Sequence, residues 1–330
     1  MHIYIFFVLL SAILIAMKRT YYCVGGHLFA VECSSPALLS LMSNYEPFRQ
    51  DNPSNDDTIF VLRIEIGYLL CEDERNTYTH IFTDNSEEDM PRIEVYKHML
   101  TDNTQFTNWL LRVSMVANSP ICCELLCAPD FTHGLLHIDQ NCQDIRFCID
   151  NALMLLYAFR SAPLMTLEMH AAVVVKAEDN KQNALAYLFL GHSGTGKSTH
   201  ARQWLHAFSD AWLLNDDNPI LRVMDNGEIR IYGSPWSGKT PCYKNDYTRV
   251  GGIVKLTQAP HNAIRPISLP EAYAYMLSSV SGLKVETQMV DYLYNSIKHI
   301  ITHIPCYLLE CLPNTDAAEV CWKEVKEDRP

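Results

Sequence analysis

The sequence predicts a mixed α/β chain in two parts, a smaller sheet-rich α+β domain over residues 17–143 and an α/β domain over 144–330. Three observations carry that expectation. Runs rich in β-branched and aromatic residues, separated by polar turn-formers, dominate the chain up to Ile138. The spacing becomes helical between Asp144 and Ser161. An apolar run then ends in Gly191-His192-Ser193-Gly194-Thr195-Gly196-Lys197-Ser198-Thr199, and an amphipathic segment follows it.

At 330 residues the chain exceeds the usual span of one domain, and 48% apolar against 19% charged residues argue against extended disorder. The net charge of -12 is unevenly placed: residues 18–150 hold 20 acidic and 9 basic side chains, and residues 151–330 hold 18 and 17. An acidic surface repels a phosphate backbone, so no nucleic-acid partner is expected for the first part. The twelve cysteines include no CxxC pair, which gives neither the usual zinc spacing nor a short disulfide scaffold; they read as reduced, mostly buried thiols.

Residues 1–16 form an uncharged apolar leader with no Lys or Arg ahead of it, unlike a secretory signal, and shorter than the roughly 20 residues of a spanning helix. Met17-Lys18-Arg19 supplies an alternative start, so the natural chain is expected to begin at Met17. If the leader acts as a weak anchor, the basic pair holds the remainder on the cytoplasmic side. Both readings give a cytoplasmic location.

Strands are expected over residues 20–33, 57–70 and 92–98, and further strands and turns between Trp109 and Ile138. Ile149, Leu153, Leu156 and Phe159 fall near one face of a helix from Asp144 to Ser161, which Pro163 closes. Met169 to Val175 and Ala184 to Leu190 read as buried strands joined through a polar turn at residues 178–181. Ser268 and Glu271 form a capping box with Pro270 in the first turn, opening a helix to about Val280. Residues 291–304 and 315–327 carry helical periodicity, with a strand at Cys306 to Cys311 between them.

The segment Gly191–Thr199 matches Gly, four residues, Gly-Lys-Ser. Small residues let successive backbone N–H groups point inward at phosphate oxygens, and Gly191, Gly194 and Gly196 supply that freedom. Lys197 is expected to neutralise the β and γ phosphates of ATP, with the Ser198 hydroxyl in the shell of a magnesium ion. Ala201, Trp204, Leu205 and Phe208 continue at helical spacing, which turns a helix N-terminus toward the phosphates.

Gly233-Ser-Pro-Trp-Ser-Gly238-Lys239-Thr240 satisfies the same pattern, but Pro235 and Pro241 stiffen it and no amphipathic helix follows. It is not read as a second nucleotide loop. Lys239 either reaches the transferred phosphate or its acceptor, or belongs to a plain surface turn. The segment Ala211–Asp217 is a short strand with Asp216 and Asp217 at its carboxyl end, where α/β sheets place ligands. Adjacent carboxylates on an extended backbone point apart, so one can serve the metal and the other the acceptor, unless both belong to a turn before Asn218-Pro219; Asp216 is taken with Ser198 for the metal and Asp217 for the acceptor.

From Met169 to Arg222 the residues resemble the catalytic domain of the bacterial HPr kinase/phosphorylase family: a histidine, two strands, GHSGTGKST, and a strand ending in two aspartates. That domain is itself similar to the nucleotide core of phosphoenolpyruvate carboxykinase. The likeness continues more loosely through the GSPWSGKT loop and Gly251 to Thr257. The Arg-Gly-Leu-Gly-type signature that follows the acids in that family has no counterpart here. The resemblance implies that His170 is an active-site histidine, that Lys197, Ser198, Asp216 and Asp217 hold their family roles, and that the γ-phosphate of ATP is passed to a serine-type hydroxyl. It also implies self-assembly into a homo-oligomer. The acceptor stays open between protein, peptide and small molecule. The alternatives are a non-catalytic ATP-binding regulator and a carboxykinase-like lyase.

Overall fold

The computed structural model describes residues 17–51, 53, 57–84, 91–98, 108–177, 183–238 and 240–327. The apolar leader, Lys239 and the turn at residues 178–181 lie outside the described residues. The chain is mixed α/β and divides into two compact units, one of Met1–Tyr22 with Leu28–Leu156, the other of Cys23–His27 with Tyr157–Pro330. The division falls inside the helix at 145–161, not at 143/144. Cys23–His27 joins the second unit because its backbone is held there: Arg222 Nη1 donates to Gly25 O at 2.9 Å, and the Tyr157 hydroxyl donates to Val24 O at 2.9 Å.

The first sheet runs β3-β1-β2-β4-β9-β8-β7-β6-β5, comprising β1 (Lys18–Val24), β2 (His27–Cys33), β3 (Arg49–Gln50), β4 (Thr58–Gly67), β5 (Tyr78–Asp84), β6 (Arg92–His98), β7 (Trp109–Ser114), β8 (Ile121–Cys127) and β9 (His133–Asp139). The stretch read as one strand over 20–33 is two, because Gly25 and Gly26 turn the chain at φ +58° and +75°, values an L side chain rarely adopts. β5 escaped the sequence reading because its side chains are mostly exposed and show no buried alternation. The short helices α1 (Pro36–Ser40) and α2 (Glu72–Arg75) precede the long α3 (Ile145–Ser161), whose Ile149, Leu153 and Leu156 are buried as the spacing required. Within this unit Glu124, fully buried on β8, accepts from Arg112 Nε at 2.9 Å and from the Leu70 N–H at 2.7 Å.

The second sheet is built from β10 (Thr166–Glu168), β11 (Ala171–Lys176), β12 (Leu185–Leu190), β13 (Ala211–Asp217), β14 (Ile220–Val223), β15 (Ile229–Tyr232), β16 (Tyr247–Gln258), β17 (Ala263–Pro266) and β18 (Cys306–Cys311). Its path is β10-β14-β15-β16-β12-β11-β13, with β18 added parallel to the later half of β16 and β17 antiparallel beyond it. Four helices belong here: α4 (Lys197–Ala207), α5 (Leu269–Ser279), α6 (Thr287–His303) and α7 (Thr315–Val325). The helix expected to start at residue 291 begins four residues sooner.

Strand alternation explains why both faces of this sheet are covered. Ala172, Val174, Tyr187, Phe189, Val254 and Tyr307 form one face, buried with Trp204 of α4 and Cys321 of α7. Their neighbours along each strand point the other way, and Lys255, between Val254 and Leu256, lays its ammonium 5.5 Å from the ring of Tyr275 on α5. Among the described residues no helix is long and apolar enough to cross a membrane. All twelve cysteines are free thiols.

Candidate functional site

Register alone gathers the singled-out residues at one end of the second sheet. β11 runs antiparallel between β12 and β13, and Ala171 pairs with both Leu190 and Asp217. The glycine-rich loop that leaves Leu190, the acids that end β13, and His170 just ahead of Ala171 therefore meet at the same edge. The outer two strands stand only about 10 Å apart, twice the interstrand spacing. Asp216 lies opposite Ala172, on the face that carries α4, and Asp217 lies opposite Ala171, on the other face.

The loop itself is a strand-to-helix turn. Gly194 and Gly196 take φ +75° and +105°, and Lys197 opens α4. His192, Ser193 and Gly194 are exposed, Thr195, Gly196, Ser198 and Thr199 are half-buried, and Lys197 is buried. Its Nζ donates to Gly191 O at 2.9 Å and His192 O at 3.3 Å, so the ammonium is folded back over its own loop. Gln258 at the end of β16 donates to Gly194 O at 3.2 Å. Behind the loop, His200 accepts from Trp204 Nε1 at 3.0 Å and is a buried neutral ring, its pKa pushed down to about 4 by desolvation.

Lys197 Nζ also lies 2.8 Å from His170 Nε2, and His170 Nδ1 lies 3.1 Å from Asp217 Oδ1. An ammonium has three donors and no acceptor, so Nε2 must accept. The ring proton then sits on Nδ1 and is donated to Asp217. The result is one line of contacts from loop lysine through imidazole to carboxylate, with its tautomer set by its neighbours.

The GSPWSGKT loop braces the acids. Ser237 bridges to Asp217, Gly238 N–H donates to Asp216 O at 2.8 Å, and a Cβ on Gly238 would meet that oxygen at 3.1 Å. Asn215, fully buried, donates to Ser234 Oγ and Trp236 O at 3.1 Å each and accepts from Asp217 N–H at 3.1 Å. Among the described residues this loop opens no helix, and Ser237 and Gly238 close its backbone on β13.

Sequence reasoning missed Glu168. It ends β10, is fully buried, and its Oε2 meets no partner; burial first and the nearby charge of Asp217 second push its carboxyl well above the usual range. A glutamate set between Leu167 and Met169, just ahead of the apolar run Ala171–Val175, was the available signal. Lys255, register partner of Leu190, was also missed: burial pushes its pKa down, and among the described residues it pairs with no carboxylate.

No family model matches the chain, and no curated protein sequence matches it either.

Proposed function

We propose that the chain is an ATP-dependent phosphotransferase with a P-loop, HPr-kinase-like second domain, passing the γ-phosphate to a hydroxyl of the serine type. The observation that carries this reading is the Lys197–His170–Asp217 line, which links an anion-binding loop directly to a carboxylate at 2.8 and 3.1 Å. A glycine turn alone supports nucleotide binding; a carboxylate held against it supports transfer.

Each residue has a part in that reading. The N–H groups of the loop and the N-terminus of α4 hold the phosphate chain, and Lys197 leaves the Gly191 and His192 carbonyls to meet it. Ser198 and Asp216 offer the hydroxyl and carboxylate oxygens that a hard divalent cation takes, so they fit magnesium. Bound, ATP supplies the phosphoryl group, and magnesium offsets its charge. Asp217, held by a hydrogen bond from His170 Nδ1, takes the hydroxyl proton of the acceptor. His170 keeps that carboxylate oriented, and the Asn215 and Gly238 contacts hold the strand end in place.

Incubation of the full chain with γ-labelled ATP, magnesium and host lysate tests the proposal. Label is expected on an acceptor with wild type and to be lost with Lys197→Ala. Equal labelling by both proteins overturns the reading, and tight ATP binding with no transfer to any acceptor assigns the chain to nucleotide sensing instead.

A further inference from the structure

Far from the glycine loop in sequence, the first unit holds a second concentration of chemistry. Cys122, Cys123 and Cys148 are all buried, and their three sulfur atoms lie within 4.8 Å of one another. Cys142 brings a fourth, its Sγ 3.5 Å from that of Cys148. On a regular strand, consecutive side chains point to opposite faces, so Cys122 and Cys123 should not share a site. Between β7 and β8 the register steps from Val113 opposite Cys123 to Ser114 opposite Ile121, which leaves Cys122 as the extra residue of a β-bulge. The bulge turns both thiols toward one point, and Cys122 Sγ reaches Val113 O at 3.1 Å.

The other two sulfurs come from the segment after β9. Asp144 caps α3 by accepting from the Phe147 N–H at 2.9 Å, which fixes Cys148 in the first turn of that helix. Cys142 is half-buried, the one of the four sulfur-bearing residues that is not fully buried.

We propose that Cys122, Cys123, Cys142 and Cys148 form a closed four-thiolate site for a soft d10 cation, zinc by preference. Four sulfurs around zinc at 2.3 Å stand about 3.8 Å apart, so the three buried sulfurs need a contraction of about 1 Å at most, and Cys142, already 3.5 Å from Cys148, has to close on the other two. Thiolates select zinc or monovalent copper over the hard cations that carboxylates take, and a set of four with no open position is the structural kind. The cation displaces the four thiol protons to solvent and ties the β7–β8 hairpin to the start of α3. Nothing in this rests on the phosphotransfer reading, which uses only residues of the second unit.

The test is elemental analysis of the full chain purified without chelator, with zinc and copper both measured, followed by cobalt exchange. About one zinc per chain is expected, with thiolate-to-cobalt charge-transfer absorption on exchange. Chelation with EDTA should lower the melting temperature, and Cys142→Ser with Cys148→Ser should abolish zinc retention, while Cys71→Ser, at an exposed position, keeps it. If the double variant does not fold, the wild-type zinc content and cobalt spectrum decide. A folded wild-type chain that holds no metal and neither retains added zinc nor gives the cobalt band overturns the proposal, as does a Cys142–Cys148 disulfide read from a mass 2 Da below the thiol form (about one hydrogen per sulfur lost). One copper per chain instead of zinc overturns the preference for zinc.

Discussion

The carboxylate of Asp217 stands 3.1 Å from Nδ1 of His170, on the side of the ring away from Lys197. In the proposed phosphotransferase, Lys197 and Asp217 on opposite sides of that ring have different parts. A residue that touches the phosphates sets affinity, and one that receives a proton sets turnover.

Asp217→Asn is accordingly expected to lower kcat by roughly 10²- to 10⁴-fold, the usual span for a general base, with ATP affinity changed only a few-fold. Steady-state kinetics with nucleotide titration checks this. A matching loss in affinity would show that Asp217 acts through the loop.

Lys197→Met removes the buried ammonium and its contacts to Gly191 O and His192 O. One charge-assisted contact is worth about 1.5–3 kcal/mol, so ATP affinity should fall about ten- to a hundredfold by calorimetry. Unchanged affinity removes the loop from the nucleotide site.

Glu168 makes stability fall as pH rises. Its folded pKa is raised above the ordinary 4.5, so above that value the folded state holds a proton the unfolded chain has released, and stability declines with pH until the folded pKa is passed. Glu168→Gln should raise the melting temperature at pH 8 more than at pH 5. Identical shifts at both values would mean that the carboxyl is ionised in the fold.

His27 and His200 act in the opposite sense at low pH. Burial pushes them down from 6.5 to about 3 and about 4. Each therefore contributes stability that is complete above pH 6.5 and is lost as pH falls toward those values, about 3 kcal/mol for His200. Denaturant melts should show a steep loss of stability between about pH 6 and 4, below the ordinary histidine pKa, that His200→Gln reduces.

In the first unit, Arg112→Met would strand the carboxylate of Glu124 with the Leu70 N–H as its remaining donor among the bonds described above. Removing one partner of such a buried pair costs about 3–5 kcal/mol, readable as a lower urea midpoint. A change under about 1 kcal/mol would mean that water replaces the guanidinium.

The mixed α/β class, the glycine turn feeding α4 and the buried face of α3 were legible because each depends on local spacing: a period of two or 3.6, a glycine at positive φ, a lysine at the start of a helix. By itself the sequence determined those local forms and, through GHSGTGKST and the paired aspartates, which residues to watch. What it could not carry was distance between segments. Only the pairing of Ala171 with both Leu190 and Asp217 brought His170 between lysine and acid, and only the fold buried Glu168 within reach of the charge of Asp217. The four cysteines show the same limit: their spacing follows no metal-binding pattern, and a one-residue slip in register between β7 and β8 turns two of them to the same point. Spacing along a chain is a property of the chain, whereas convergence of sulfur, ammonium or carboxylate depends on hydrogen-bond register across strands distant in sequence, which tertiary packing decides.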